Sequence, residues 1–335
     1  MWCKNCNRET DEEVCSVCGI KTEEDIPYEL HWCDECKVPL IKAINDADRD
    51  TCSLCGGKTS YLVADLRPVF PEERLLLEIL SDKPLAYINK SVWASNNRYY
   101  IDGKPIVVTA AWYKKHSAAY IREQLEKYKE HNNYRFFNEN IATFIRANQG
   151  RLDYLKYEAN IFIQKSAAKF PRENIVLSFS GGKDSTVTAD LVVKALSDPS
   201  LVHIFGNTTL EFPFTIEYAE RFKKNNPKAI FKVAKNKEQN FYEVCEDIGP
   251  PARMLRWCCF MFKTGPISRV ITGLYRDKSI LTYYGIRKCE SVSRSKYNRI
   301  EDNAESTKIQ QQTVATPIFL SLIHISEPTR LRCIS

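Results

Sequence analysis

Two groups of residues in this 335-residue chain have types and spacings that can do chemistry. The first is cysteine. Eight of the thirteen lie in the first 55 residues as four C-x-x-C pairs, Cys3/Cys6, Cys15/Cys18, Cys33/Cys36 and Cys52/Cys55. A two-residue gap lets both sulfurs of one turn face one ion, and two such turns supply the four thiolates of a tetrahedral Zn²⁺ site. Eight residues separate the first two pairs and fifteen the last two, which suits two sequential zinc ribbons. Spacing leaves interleaved pairing open, and a rubredoxin-like iron site is the competing occupant. Disulfides fit poorly with a cytosolic chain. A redox C-x-x-C would occur once, not four times. The segment is too short and polar to hold a core without metal, so metal binding and folding are expected to be coupled.

The second group is Ser180-Gly181-Gly182-Lys183-Asp184-Ser185, between the apolar run Ile175–Phe179 and a helical pattern. Two glycines allow close backbone approach and positive φ. The helix that follows offers free N–H groups and its positive dipole end. Hydroxyls at Ser180 and Ser185 and the Lys183 ammonium complete an anion cradle. It is not a Walker A loop, because G-x-x-x-x-G-K-[ST] is absent.

These groups need elements to position them. Residues 1–62 read as a double zinc-ribbon module. Residues 63–170 read as a mixed α+β region that becomes helical: a Pro-delimited helix from about Pro71 to Leu80, β-like runs at Tyr87–Trp93 and Arg98–Tyr100, and a turn at Asp102-Gly103. Helices then fill 113–170, with a break near Gly150 and a last helix over Leu152–Phe170, before Pro171. From 171 the pattern alternates: strand Ile175–Phe179, helix Lys183–Leu196, strand Leu201–Phe205, helix Phe214–Asn225, strand Ile230–Val233, helix Asn240–Cys245. That alternation predicts an α/β fold, a Rossmann-like parallel sheet with helices on both faces.

Composition bounds the rest. Hydrophobic residues are 44% and charged residues 27%, which excludes a wholly disordered chain. No apolar run reaches the roughly 18 residues of a membrane span, and the N-terminus lacks a secretory signal, so no membrane association and a cytoplasmic location are expected. The net charge of +6 is divided. Residues 1–62 carry 7 Lys+Arg against 13 Asp+Glu, and the remainder 41 against 29. The acidic ribbons argue against direct DNA binding, and a structural or protein-contact role is expected for them. The basic body suits nucleotides or nucleic acid.

Four ordered blocks resemble a known family. SGGKDS after an apolar strand is similar to the PP-loop of the adenine nucleotide α-hydrolase-like superfamily. HIFGNTTLEFP (203–213), RWCCFMFKTGPI (256–267) and YGIRKCESVSR (284–294) resemble blocks of the phosphoadenosine phosphosulfate (PAPS) reductase family, over about 171–319. The resemblance implies that Ser180, Gly181, Gly182, Lys183, Asp184 and Ser185 hold a nucleotide phosphate. It places Asn207, Thr208 and Glu211 at the end of the second strand, and Lys263, Arg287 and Arg294 toward the anionic part of the substrate. In iron–sulfur members a tandem pair like Cys258-Cys259 joins a distant C-x-x-C to hold a [4Fe–4S] cluster. No later C-x-x-C occurs here, and Cys289 and Cys333 are single. His203, on an apolar strand, reads as packed rather than catalytic.

The family's reductases use a C-terminal cysteine to attack the sulfur of PAPS or adenylyl sulfate. S-sulfocysteine and a nucleoside phosphate form, and a thiol donor such as thioredoxin then releases sulfite. No matching tail motif is present. The stretch LSLIHISEPTR (320–330) reads as one translated frame of a transposon-end sequencing adapter. Native sequence is therefore expected to end near Phe319, with 320–335 as read-through, His324 and Cys333 without function, and the nucleophile missing.

Three functions follow. The leading one is a sulfonucleotide reductase-like enzyme. The second is an ATP pyrophosphatase that uses Mg²⁺, placed with help from Asp184, to adenylate a substrate for sulfur transfer to nucleic acid; its basis is the intact SGGKDS loop. The third is a non-catalytic nucleotide-binding protein whose ribbons dock a protein or nucleic-acid partner.

Overall fold

The computed structural model describes residues 2, 3, 5, 6, 8, 9, 13–23, 28–44, 46–252, 254–287, 294, 297–302 and 312–319. The expected read-through 320–335, with His324 and Cys333, lies outside the described residues, as does Cys289. The chain divides into two compact units between Tyr154 and Leu155.

In the first unit, β1 (Trp2–Cys3) and β2 (Arg8–Glu9) pair antiparallel in the first ribbon. In the second ribbon, β3 (Tyr28–Cys33) pairs antiparallel with both β4 (Val38–Ala43) and β5 (Thr59–Val63). A four-stranded antiparallel meander follows: β6 (Arg67–Pro68), β7 (Val92–Ser95), β8 (Arg98–Ile101) and β9 (Lys104–Val107). Asp102 and Gly103 take φ 48° and 79° at the β8–β9 turn. Two consecutive positive φ values match the twist of the flanking strands, as the Asp-Gly pair predicts.

Helix α1 occupies Pro71–Leu80 as expected, with proline in its first turn, where the missing N–H costs nothing. The β-like reading of Tyr87–Trp93 is corrected to Val92–Ser95. The reason is the buried Glu78 carboxylate, which accepts the backbone N–H groups of Leu85 (3.0 Å) and Tyr87 (2.7 Å) and holds that segment as a loop. Helices α2 (Ala110–Lys115), α3 (Ala118–Tyr128), α4 (Tyr134–Ala147) and α5 (Gln149–Ala167) complete the helical stretch. The helical break falls at Asn148, not at Gly150, which sits in the first turn of α5. Asn148 caps α4 and ties it to β4: its Oδ1 accepts the Ile41 N–H at 2.6 Å, and its Nδ2 donates to the Pro39 carbonyl at 3.0 Å.

The second unit is built on a six-stranded sheet of β10 (Ile175–Phe179), β11 (Val202–Asn207), β12 (Ile230–Lys235), β13 (Ile280–Tyr283), β14 (Ile300–Glu301) and β15 (Gln312–Ala315). The order is β12-β11-β10-β13-β15-β14, parallel except for β14. Alternate side chains of β10 feed two cores. Ile175, Leu177 and Phe179 pack with α5, α6 (Lys183–Leu196) and α7 (Pro213–Asn225) through Ile163, Val192 and Tyr218. Val176 packs on the other face with Ile271 and Tyr275, in and just after α9 (Gly265–Leu274). Helices therefore cover both faces, as the βα alternation predicts. Helix α8 (Phe241–Ile248) opens on a capping box formed by Asn240 and Glu243. The chain runs β10→β11→β12 to one side and then crosses to β13 on the other. The strand order thus reverses between β10 and β13, at the C-terminal ends where open α/β sheets hold ligands. No helix among the described residues is long and apolar enough to cross a membrane.

Candidate functional site

The loop after β10 sits at that reversal. Gly181 has φ +72°, open to glycine without strain, and a Cβ there would meet the Thr215 methyl at 3.2 Å. Gly182 is the N-cap of α6, so the first N–H groups of the helix are left without intrahelical partners. The buried Ser185 hydroxyl organises the turn. It accepts from the Ser180 N–H at 3.2 Å, lies 3.1 Å from the Ser180 hydroxyl and donates to the Gly182 carbonyl at 2.9 Å. Thr186 bonds the same carbonyl at 3.0 Å and receives the Tyr218 hydroxyl at 3.1 Å.

The sequence did not point to what closes the loop's other side. Gly285, two residues past β13, lies against the loop backbone, and Arg287 brings its Nε within 3.1 Å of Asp184 Oδ2. Arg287 is 4% exposed, so it faces the loop carboxylate from inside the protein. The signal was the apolar run Ile280–Tyr284 ending in Gly285, a strand that sequence reasoning left unassigned. The other carboxylate oxygen, Asp184 Oδ1, is buried without a hydrogen-bond partner.

Asn207, Thr208 and Glu211 occupy the end of β11 and the loop beyond it. Asn207 Oδ1 accepts the Thr209 N–H at 2.9 Å, and the Thr208 hydroxyl donates to Glu211 at 2.8 Å. Lys263 is exposed on a π-helical turn, Cys259–Thr264, that leads into α9. The Arg294 carbonyl accepts the Tyr297 N–H at 3.1 Å. Cys258 and Cys259 stand at the start of the π-helical turn, beside Trp257, which packs on Phe241 and Phe262. Burial pushes the Cys258 thiol up. Among the described residues no third metal-ligating side chain joins this pair. His203 is 1% exposed among Phe179, Phe222 and Phe231, its Nδ1 donating to the Leu201 carbonyl at 2.9 Å, as a packed residue.

The ribbons resolve the pairing question. Cys3, Cys6, Cys15 and Cys18 form one tetrad and Cys33, Cys36, Cys52 and Cys55 the other, the sulfurs of each within 4.8 Å of one another. Several approach more closely: Cys3–Cys18 at 3.4 Å, Cys6–Cys15 at 3.9 Å, Cys33–Cys55 at 3.5 Å and Cys36–Cys52 at 3.8 Å. Zn–S bonds of about 2.3 Å in a tetrahedron put sulfurs about 3.8 Å apart, so the donor sets fit such an ion. Backbone N–H groups point at the sulfurs, Cys6 to Cys3 and Cys36 to Cys33 each at 3.4 Å. Such bonds lower Cys15 to about 6 and Cys55 to about 7, while the neighbouring Cys18 sulfur helps push Cys6 up to about 12. Four thiols this close cannot all ionise alone, and a divalent cation removes the conflict.

The second unit is thus an α/β domain with a Gly-Gly strand-to-helix loop at its topological switch point. Residues 174–324 match the phosphoadenosine phosphosulfate reductase domain. Two uncharacterized proteins of Methanocaldococcus jannaschii are similar to it. MJ0066 is 35% identical over 201 residues, 60% of this chain and 40% of that one. MJ0973 is 34% identical over 160 residues, 47% and 37% of the two chains. The chain therefore spans about two fifths of the length of these relatives. Solved structures resembling it include a PAPS reductase from Candida auris in a phosphate complex, at TM-score 0.40, 17% identity and coverage of 55% of this chain and 86% of that one. An NH3-dependent NAD synthetase from Campylobacter jejuni matches at TM-score 0.31 and 18% identity, over 41% and 57%.

Proposed function

We propose that the second unit binds an adenine nucleotide by its phosphates at Ser180–Ser185 and acts as a sulfonucleotide reductase-like enzyme on PAPS or adenylyl sulfate. The observation that carries the reading is the intact loop at the switch point, with Gly285 against its backbone, inside the residues that match the reductase domain. The helix start and Lys183 would neutralise the phosphate, Asn207, Thr208 and Glu211 would border the substrate, and Lys263 and Arg294 would approach its anionic end. Arg287 would act through Asp184, keeping the loop carboxylate in place. In this reading a cysteine thiolate from beyond the residues described attacks the substrate sulfur and displaces the nucleoside phosphate; an external dithiol donor such as thioredoxin then attacks the cysteine sulfur of the S-sulfocysteine, expels sulfite and is itself oxidised to a disulfide. The two tetrads would hold structural zinc, and the ribbons would present the chain to a protein or nucleic-acid partner.

One observation favours a second reading. Asp184 Oδ1 is a buried oxygen with no partner, a donor that suits a hard cation such as Mg²⁺. Asp184 would then hold the ion, which would supply charge neutralisation to an ATP polyphosphate, and the enzyme would split ATP between its α and β phosphates. A single assay separates the two. A complete chain carrying the expected C-terminal cysteine is incubated with PAPS or adenylyl sulfate and a reduced thiol donor, or with ATP and Mg²⁺, and sulfite and pyrophosphate are measured. Sulfite supports the reductase, pyrophosphate the ATP-splitting enzyme, and tight binding without either product the non-catalytic alternative. Lys183→Ala with Ser185→Ala should weaken nucleotide binding at least tenfold and leave zinc content unchanged. Unchanged affinity overturns the phosphate-cradle assignment.

A further inference from the structure

Between α1, α2 and β9 the first unit opens a groove of about 660 Å³. Leu80 and Ile106 supply apolar surface, and Trp112 joins them. Trp112 is half-buried, anchored against the core of Leu77, Val92 and Val108. The exposed lysines Lys83, Lys114 and Lys115 stand around this apolar surface. Among the described residues no acidic side chain lines the groove. Asp82, beside Lys83 in the chain, is held by Lys115 and lies 2.9 Å from His116 Nε2. Lys83 and Lys114 have no ion-pair partner among the described residues, so two ammonium groups are left for a ligand's charge.

The segment that carries Lys83 is held in shape. Asp82 and Leu85 take φ 55° and 64°, and a positive φ is unusual for a side chain as bulky as leucine. The buried Glu78 carboxylate fixes the segment by the N–H groups of Leu85 and Tyr87. Such a conformation persists only where its surroundings enforce it. The aromatic surface continues outside the groove. Tyr113 on α2 is 58% exposed, and Tyr120 on α3 is 39% exposed and stacks on His116 with ring centroids 4.7 Å apart. Rings and cations thus stand side by side along Trp112-Tyr113-Lys114-Lys115-His116. Lysines alone suit any anion. Lysines around aromatic faces suit a ligand that is both planar and anionic at each repeat. Single-stranded nucleic acid has that chemistry, because its bases stack on rings while its phosphates meet ammonium groups. An acidic peptide matches the charge and leaves the rings unused.

We propose that this groove binds single-stranded nucleic acid, with one base against Trp112 and the adjoining phosphates on Lys83 and Lys114. The site does not depend on nucleotide binding at Ser180–Ser185. Every base has a face that can stack, so the groove accepts any sequence. Two or three lysine–phosphate contacts give a log–log salt slope of about −1.4 to −2.1.

The test is fluorescence anisotropy of a labelled oligouridylate of about twelve nucleotides, a probe without adenine, with the full, zinc-loaded chain. Binding should weaken with salt at the slope given. Lys83→Gln with Lys114→Gln, both at exposed positions, should cut affinity at least tenfold and flatten the slope by about 1.4. Trp112→Leu keeps an apolar anchor on the core and should cut affinity about fivefold or more. Unfolding midpoints measured alongside show that each variant folds. Lys183→Ala with Ser185→Ala should leave oligouridylate binding unchanged, so a failure here and a failure of the phosphate cradle are read separately. No binding at low salt, or unchanged affinity in the lysine variant or in Trp112→Leu, overturns the site. Inorganic polyphosphate of equal charge that competes as well as unlabelled oligouridylate shows that no base is held, and overturns it too. Tighter binding of an oligoglutamate peptide of equal charge assigns the groove to an acidic protein segment instead.

Discussion

Gly285 and Asp184 lie so close that a Cβ built on Gly285 would fall 2.5 Å from the Asp184 carbonyl carbon and 2.6 Å from its oxygen. The contact is backbone against backbone, so no flexible side chain can move aside. Gly285, two residues past β13, therefore shapes the loop after β10, and the two blocks that the sequence places about a hundred residues apart form one wall. Gly285→Ala should push the loop off its position. Nucleotide affinity is expected to fall at least tenfold, with a stability loss of about 1–3 kcal/mol. Binding titration and denaturant unfolding read the two effects, and an alanine variant with native affinity would show that the loop tolerates displacement.

Much of this site was legible because its signals are local. The apolar run before SGGKDS and the helical pattern after it placed β10 and α6 at the residues observed, and four C-x-x-C pairs gave two tetrads. What stayed hidden depends on contacts distant in sequence. The family resemblance implied that Arg287 faces an anion, yet its position on Asp184 follows from β13 pairing beside β10, which no local pattern encodes. The β-like run at Tyr87 failed for the same reason, since Glu78 captures its N–H groups from another element. Gly150 looked like a helix breaker, but Asn148, with partners in β4, is where the helix ends.

The tetrads predict a metal-dependent first unit. Trp2 and Trp32, each next to a ligating cysteine, are 2% and 4% exposed. A strong chelator should release two equivalents of zinc and shift tryptophan emission toward that of exposed indole, because metal binding and folding of such small modules are one process. Cys3→Ser and Cys33→Ser should each remove one equivalent. Loss of both equivalents from either single variant would contradict independent sites.

Asn148, 4% exposed, links α4 to the second ribbon through two hydrogen bonds, to the Ile41 N–H and the Pro39 carbonyl, and donates also to the Phe144 carbonyl of α4 itself. Asn148→Ala leaves buried backbone groups of β4 without partners, at about 1–3 kcal/mol for each one. The expected loss is about 2–4 kcal/mol, read by equilibrium unfolding. A cost under about 0.5 kcal/mol, the range of neutral surface changes, would mean that water replaces the amide.

His203 makes the second unit sensitive to acid. Its burial among three phenylalanines holds its pKa below the usual 6.5, because the charged imidazolium would lose its hydration there. The unfolded chain takes up a proton near 6.5 and the folded chain does not. The contribution of His203 is therefore fully present above 6.5 and is lost as the pH falls toward the depressed folded value, by up to about 1.4 kcal/mol per pH unit. His203→Asn retains a donor for the Leu201 carbonyl and cannot titrate in this range. Denaturant unfolding at pH 7.5 and 5.5 should show a larger acid loss in the parent than in the variant. Parallel losses would assign the acid sensitivity to other groups and show that the imidazole charges at little cost where it sits.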